Sequence, residues 1–280
     1  MDFKQFSSLI MIEQTLFALP FALIGVLFAG SGTLMTWIWA ITALVAARTA
    51  GMSFNRVIDA DIDARNPRTR ERLIPKGEVQ PAAVWLTAVI SSIVLIEASY
   101  LLNELCFHLS FVAVFLLFTY SYFKRFSASS HFYLGFVEAA APIGGYLAVT
   151  GEFSLVPFVL GFAILTWIAG LDIVYALQDK TFDEKEKLHS VPVRMGGENA
   201  LAISAICYLF SISAMIYAGI LTQRKMAYWV ALVLIGAIFF FQQKLARDDN
   251  ISASIKRFFK INMYISPILF FGTLIDVIMS

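Results

Sequence analysis

The sequence has 280 residues, of which 59% are hydrophobic and only 15% are charged, and its mean hydropathy is +0.75. This composition excludes an ordinary water-soluble domain and favours a protein of the lipid bilayer. The formal net charge is +1, so the overall charge gives no reason to expect a nucleic-acid partner. The two cysteines, Cys106 and Cys207, lie singly in apolar runs and indicate neither a disulfide nor a metal site.

Apolar runs recur along the whole chain, separated by short polar or glycine-containing segments. A bilayer core of about 30 Å requires roughly 20 apolar residues of helix, and nine runs approach or exceed that length. The predicted spans are 9–30, 34–57, 82–102, 105–123, 132–150, 154–178, 199–221, 226–244 and 258–278. We therefore predict an all-α, polytopic fold of nine transmembrane helices that forms a single membrane domain over residues 1–280.

Basic residues are distributed unevenly among the connections between these spans. The connections after spans two, four, six and eight are rich in lysine and arginine, whereas the connections on the other side carry only Arg224 and Lys225. Because basic loops are retained in the cytoplasm, the pattern predicts a cytoplasmic N-terminus and an external C-terminus. It indicates a multi-pass protein of a cell membrane such as the bacterial inner membrane.

An oxygen-rich segment begins inside span two and continues into the predicted cytoplasmic loop. Asn55, Asp59 and Asp63 are spaced at i, i+4 and i+8, so a continuing helix presents them on one face. Carboxylate oxygens bind hard divalent cations such as Mg²⁺, which keep open positions for phosphate oxygens. Arg68 and Arg72 follow in the same loop and can meet the same anion.

A second acidic segment lies at the end of span six. Asp172, Asp179 and Asp183 fall at i, i+7 and i+11, again on one helical face, with Tyr175 between the first two. Either acidic run alone could be the solvated flank of a helix. Asp172, however, lies within an apolar span, where an ionisable group is costly without a partner or a role. Two such runs on one membrane face predict a pair of metal sites that clamp a diphosphate.

Three further polar side chains lie near these segments. Arg48 is two helical turns deeper than Asn55 on the same face, where it either pairs with an acid such as Glu13 or binds an anionic group of a substrate. Tyr120 and Lys124, four residues apart, end span four at the level of the acidic runs, although Lys124 could simply extend to the interface. None of the histidines has neighbours typical of metal ligands.

In combination these segments resemble the UbiA superfamily of intramembrane prenyltransferases. The run Asn55-Arg56-x-x-Asp59-x-x-x-Asp63, followed by Arg68-Thr69, is similar to the first aspartate motif of that family. The run Asp172-x-x-Tyr175-x-x-x-Asp179-x-x-x-Asp183 is similar to its second motif. Tyr120-x-x-x-Lys124 resembles a third element of the family. The three occur in the family's order and cover essentially the whole chain.

The resemblance implies an enzyme that uses Mg²⁺ to transfer a polyprenyl group from polyprenyl diphosphate to an aromatic acid at the bilayer surface. The metal ligands it implies are Asn55, Asp59, Asp63, Asp172, Asp179 and Asp183. The side chains expected at the diphosphate are Lys124, Arg68 and Arg72, and those expected at the acceptor are Arg48 and Asn55. The catalytic residues it implies are Asp59, Asp172, Tyr120 and Tyr175.

Within the superfamily, the sequence most resembles bacterial 4-hydroxybenzoate polyprenyltransferase-like enzymes, particularly a branch that shares the segments 13–22 and 47–50. Relatives on that branch prenylate a dihydroxynaphthoate in menaquinone synthesis. Many 4-hydroxybenzoate enzymes read Arg-x-Asp-Lys-Pro near the first span, where this chain has Met-Ile-Glu-Gln-Thr at 11–15. Both acceptors therefore remain open, as do the haem, chlorophyllide and glycerol phosphate acceptors of other relatives.

A secondary transporter is an alternative of a different class, because transporters also carry buried acids and basic loops. Transporter sites gather near the middle of the bilayer on interrupted helices. The acids of this chain concentrate at one interface and continue into loops, which favours the enzyme.

Overall fold

The structure is a computed structural model that describes residues 2–248 and 251–279, and their side chains except those of 13–18 and 251–253. Over these residues the regular elements are all helical. The helices are α1 (Phe3–Ile10), α2 (Ile12–Phe28), α3 (Leu34–Ile58), α4 (Ala60–Arg65), α5 (Pro81–Leu102), α6 (Glu104–Phe123), α7 (Ser130–Thr150), α8 (Leu155–Ala176), α9 (Lys180–Lys185), α10 (Val191–Met195), α11 (Gly197–Leu221), α12 (Met226–Leu245), α13 (Ile251–Asn262) and α14 (Ile265–Ile278).

The predicted polytopic all-α fold is confirmed. Within the described residues, 8 helices are long and apolar enough to cross a membrane, and they coincide with predicted spans two to nine. The first predicted span corresponds to a shorter apolar helix, Leu19–Phe28 within α2. The prediction of nine transmembrane helices therefore differs from the structure by one short helix.

The first predicted span, 9–30, is wrong in its boundaries. The chain breaks at Met11, which takes a left-handed conformation with φ 50° between α1 and α2. A capping box begins α1, because the Gln5 N–H donates to the Asp2 side chain over 2.7 Å and the Asp2 N–H donates to the Gln5 side chain over 3.0 Å. Polar and apolar residues of α1 fall on opposite faces, which suits a helix that lies on a membrane surface.

The ninth predicted span, 258–278, is also divided. Helix α13 ends at Asn262 and α14 begins at Ile265. Pro267 explains the break, because proline lacks an N–H and its ring clashes with the carbonyl four residues earlier, that of Met263. The two helices together still form one apolar segment of spanning length, Ser254–Ile278.

Close approach of backbones holds the middle of the bundle together. A Cβ atom added to Gly145 on α7 would lie 1.9 Å from the carbonyl oxygen of Ala22 on α2, and one added to Gly25 would lie 2.1 Å from that of Pro142. Only glycine permits this spacing, and small residues mark helix contacts in membranes. Helix α8 packs between α7 and α11, and its Trp167 is fully buried.

The two acidic motifs meet at one end of the bundle, which we call the motif end and define by the connections 59–80, 124–129 and 177–196. Helix α3 ends at Ile58, yet the Asp59 N–H donates to Asn55 O over 3.0 Å and the Asp63 N–H donates to Asp59 O over 2.8 Å. The predicted helical face that carries Asn55, Asp59 and Asp63 therefore continues across the break into α4. In the second motif, a 3₁₀ turn over Leu177–Asp179 separates α8 from α9.

Candidate active site

The acids of the first motif are held by the Asn55 amide and by arginines. Asn55 Nδ2 donates to Asp59 Oδ2 over 2.8 Å and also contacts Ser121 Oγ at 3.3 Å. Arg125 Nη2 lies 3.3 Å from Asp59 Oδ1. The carboxylate of Asp63 is buried and pairs with Arg72 Nη1 at 2.6 Å.

Arg68 connects the two motifs. Its Nη2 lies 2.5 Å from Asp179 Oδ2 and its Nε lies 3.0 Å from Asp179 Oδ1, while Nη1 donates to the hydroxyl of Tyr175. Asn66 Nδ2 donates to the same carboxylate over 3.2 Å. The loop after the first motif is thus bound directly to the second motif, so the two acidic motifs lie beside each other.

Asp183 is the most deeply buried of the predicted metal ligands, with 0% of its surface exposed. Lys124 Nζ lies 2.9 Å from Asp183 Oδ1, so an ammonium group faces this buried carboxylate. A buried carboxylate is costly unless a cation compensates its charge. A divalent cation can take the place of the ammonium at Asp183, so the residues present fit a hard divalent ion.

The carboxylates do not form a ready-made metal centre. In the described part of the chain, no three His, Cys, Asp or Glu side chains are grouped as metal ligands. The physical reason is that each acid of the motifs is paired with a neighbouring base or histidine. Asp63, Asp179 and Asp183 lie at the motif end, where they pair with Arg72, Arg68 and Lys124 respectively. Asp172 instead hydrogen-bonds to His131 on α7.

Asp59 and Arg68, which lie outside the spans, have shifted pKa values. Burial, and then the charge of Asp63, raise the pKa of Asp59 to about 6, although Arg125 opposes the shift. Burial lowers the pKa of Arg68, but the hydrogen bond and charge of Asp179 outweigh burial and raise that pKa overall. Arg68 therefore stays protonated. The Asp59 carboxyl takes up a proton more readily than an ordinary aspartate does, and a bound cation would favour its charged form.

A cavity of about 1170 Å³ extends from the motif end into the bundle. Its charged end is lined by Asn55, Arg72, Tyr120, Asp172 and Tyr175. Along α6 the lining continues from Tyr120 to Cys106, a distance of about 20 Å at 1.5 Å per residue. Leucine, alanine and valine side chains form most of this arm. The cavity therefore joins a charged pocket to a long apolar channel.

Arg48 forms an ion pair across this cavity. Its Nη1 lies 2.6 Å from Glu138 Oε1, and both residues line the cavity wall. The predicted partner Glu13 has a side chain that lies outside the described residues. The Nε of Arg48 is buried and has no hydrogen-bond partner among the described groups.

Sequence reasoning missed three residues of this site: Arg56, Arg125 and His131. Arg56 lines the cavity, is 7% exposed and leaves Nη1 without a hydrogen bond from the described residues. Its position inside span two, where a charged group is expensive, was the available signal. Nothing in the local sequence indicates the contacts of His131 or Arg125, because both contacts join segments distant along the chain.

Residues 18–264 match the UbiA prenyltransferase family. The chain belongs to this family. This UbiA chain is 28% identical to the 4-hydroxybenzoate octaprenyltransferase of Nitrosospira multiformis, over 84% of this chain and 81% of the relative. The recognition of the family from its motifs is thereby confirmed, and with it the assignment of the chain to the prenyltransferases.

Solved structures agree with the UbiA assignment. The apo structure of a UbiA homologue from Aeropyrum pernix K1 superposes with a TM-score of 0.87 at 29% identity, covering 95% of this chain and 98% of that one. A UbiA homologue from Archaeoglobus fulgidus bound to GPP and Mg²⁺ superposes with a TM-score of 0.72 at 19% identity, covering 96% of this chain and 99% of that one. The latter likeness concerns the fold alone.

Proposed function

We propose that this UbiA enzyme transfers a polyprenyl group from polyprenyl diphosphate to a ring carbon of a hydroxyaryl carboxylate, with 4-hydroxybenzoate as the acceptor. The observation that carries the proposal is the single cavity that joins the charged motif end to an apolar channel. A polyprenyl diphosphate has the same division into an anionic head and an apolar tail. The name of the relative from Nitrosospira multiformis supports 4-hydroxybenzoate and hence ubiquinone synthesis.

The diphosphate head binds at the motif end. Arg68, Arg72 and Lys124 pair there with the carboxylates of Asp179, Asp63 and Asp183 respectively. Phosphate oxygens are strong acceptors for guanidinium and ammonium groups. These three bases exchange their carboxylate partners for phosphate oxygens when the donor binds.

Six oxygen-bearing side chains are available for two magnesium ions: Asn55, Asp59, Asp63, Asp172, Asp179 and Asp183. Five of the six are carboxylates, the ligands that hard divalent cations prefer, and this chemistry supports the set. The homologue from Archaeoglobus fulgidus that was solved with GPP and Mg²⁺ has the same fold. Held by these side chains, Mg²⁺ would supply positive charge that stabilises the diphosphate as a leaving group.

The acceptor lies deeper in the cavity. Arg48 holds the acceptor carboxylate through its guanidinium, which lines the cavity beside Glu138, and Asn55 lies two helical turns nearer the motif end. Tyr120 and Tyr175 line the cavity near the diphosphate pocket and orient the two reactants. The ring carbon beside the acceptor hydroxyl forms the new carbon–carbon bond, and loss of its proton restores aromaticity.

The apolar wall of the cavity protects this step. Once the allylic bond breaks, water would capture the positively charged carbon before the aromatic ring could. Exclusion of water by leucine, alanine and valine side chains prevents that side reaction. We place the motif end at the cytoplasmic face, because the basic loops that surround it obey the positive-inside rule.

The proposal is tested by incubating the purified protein with Mg²⁺ and a labelled polyprenyl diphosphate. 4-Hydroxybenzoate and 1,4-dihydroxy-6-naphthoate are offered in parallel, and products are identified by mass. Prenylated 4-hydroxybenzoate is the expected product. Product from the naphthoate alone would move the enzyme to menaquinone synthesis, and diphosphate release without either product would show that the acceptor is wrong.

A further inference from the structure

His131 on α7 makes two hydrogen bonds from an almost fully buried position. Its imidazole is 3% exposed, and Nδ1 lies 2.7 Å from Oδ2 of Asp172 on α8. On the other side of the ring, the Val191 N–H at the start of α10 donates to Nε2 over 3.1 Å. One side chain therefore connects three helices at the wall of the cavity.

The backbone of α10 determines which ring nitrogen carries the proton. Because Nε2 accepts a hydrogen bond, the proton of the neutral imidazole lies on Nδ1 and is donated to Asp172. The Val191 N–H is one of the first-turn donors that a helix cannot satisfy internally. The ring is thus held by a rigid donor, and it holds Asp172 Oδ2 in turn.

The second oxygen of Asp172 is left for the cavity. Asp172 lines the cavity wall, and its Oδ1 accepts no hydrogen bond from the residues that the structure describes. A carboxylate tethered through one oxygen presents the other in a single direction. In metal sites, groups that do not touch the metal orient the binding carboxylates through hydrogen bonds of this kind.

We propose that His131 is a positioning residue that orients Asp172 toward the divalent cation and the diphosphate. This inference rests on the proposed function, in which Asp172 is a metal ligand. His131 itself touches neither the substrate nor the metal. It acts through the hydrogen bond from Nδ1 to Asp172.

The chain just before Val191, which contacts His131, also contacts Lys124 and Asp183. The His189 N–H donates to Lys124 O over 2.8 Å, and the Leu188 N–H donates to Asp183 O over 2.8 Å. Segment 188–191 therefore connects Lys124, Asp183 and, through His131, Asp172. A shift of this segment would therefore disturb these three contacts together.

The test compares His131→Leu with His131→Gln in the full-length protein in detergent. Leucine removes both hydrogen bonds, whereas the glutamine amide can donate to Asp172 and accept from Val191. Binding of Mn²⁺ in the presence of inorganic diphosphate is measured by electron paramagnetic resonance, which requires no turnover. We expect the Kd for Mn²⁺ to rise roughly 10- to 100-fold in His131→Leu and to return most of the way in His131→Gln.

Ser211→Ala is the matched control, because Ser211 is fully buried and also hydrogen-bonds to α8, at Ala163 O over 2.8 Å. It should lower the Tm without changing the Kd for Mn²⁺. If His131→Leu lowers only the Tm in the same way, or if His131→Gln binds Mn²⁺ as weakly as His131→Leu, the positioning role is overturned.

Asp172→Asn separates this inference from the proposed function. Weaker Mn²⁺ binding in Asp172→Asn together with wild-type binding in His131→Leu would overturn the positioning role alone. Wild-type binding in Asp172→Asn would overturn both the positioning role and the assignment of Asp172 as a metal ligand.

Discussion

At the scale of single residues, the candidate site is a set of ion pairs between the acids of two motifs and bases from other segments. Arg68, Arg72 and Lys124 each hold one buried carboxylate at 2.5–2.9 Å. Burial of a charged pair is costly in itself and is repaid only by close geometry. Such pairs are suited to exchange, since phosphate and a divalent cation can replace the two partners without leaving either charge alone.

The first acidic motif offers a test with an internal control. Asp59→Ala removes a carboxylate that faces Asn55 and Arg125, and we expect turnover to fall at least about 100-fold while the protein remains inserted. Asp61→Ala removes a neighbouring carboxylate that is exposed on α4, and it should leave turnover nearly unchanged. Full activity in Asp59→Ala, measured by product mass, would contradict the proposed role of the first motif.

The acceptor pocket is tested by neutralising its ion pair. Replacing Arg48 and Glu138 together by glutamine avoids leaving one buried charge alone. We expect the KM for 4-hydroxybenzoate to rise about 10- to 100-fold, with the KM for the prenyl diphosphate unchanged. The methyl ester of the acceptor should react equally with both proteins. An unchanged KM for the acid in the double variant would show that Arg48 does not bind the carboxylate.

The sequence predicts which side chains carry the chemistry better than it predicts their partners. Asp59, Asp63 and Asp179 are identifiable because their spacing repeats along a helix. The partner of Arg48 is Glu138 on α7, and no periodicity relates two residues on different helices. The hydrogen bond between His131 and Asp172 is missed for the same reason.

At the scale of elements, apolar length and polar punctuation identify the helices, and local backbone chemistry determines where they break. The boundaries of α3, α5, α6 and α7 differ from the predicted spans by at most a few residues. Pro267 was a readable signal for the break before α14. The break at Met11 has no such signal, because methionine rarely adopts a left-handed conformation. Its conformation here follows from the change of direction between α1 and α2, which the local sequence does not indicate.

The contact between α2 and α7 depends on glycine. Gly145→Ala would place a Cβ 1.9 Å from the backbone oxygen of Ala22, which cannot move aside as a side chain can. We expect a loss of about 1–3 kcal/mol in stability, seen as a lower Tm.

Gly144→Ala is the matched control for this contact. An added Cβ at Gly144 meets nothing within 4 Å, and alanine favours helix by up to about 1 kcal/mol over glycine. Its Tm should therefore equal or exceed that of the wild type. Equal Tm values for the two variants would show that the helices do not approach as closely as described.

At the scale of the whole molecule, the cavity relates the fold to the choice of donor. Ala113 lines the apolar arm on α6, about 10 Å along the helix from Tyr120. Ala113→Trp should shorten the longest prenyl diphosphate that reacts, while dimethylallyl diphosphate should react as before. Products from a series of donors, identified by mass, measure the change.

Phe115→Trp is the control for that series, because Phe115 is 62% exposed on the outer face of the same helix. It should accept the same donors as the wild type. If Ala113→Trp also accepts the longest donors at the wild-type rate, the tail does not occupy this arm of the cavity.

The most direct test of the whole account is the metal dependence of product formation. The purified protein is incubated with polyprenyl diphosphate and 4-hydroxybenzoate, first with EDTA and then with excess Mg²⁺, and prenylated acid is measured by mass. We predict no product in EDTA and rapid product formation after Mg²⁺ is restored. Prenylated product at an undiminished rate in EDTA would contradict the assignment of the two acidic motifs as metal ligands.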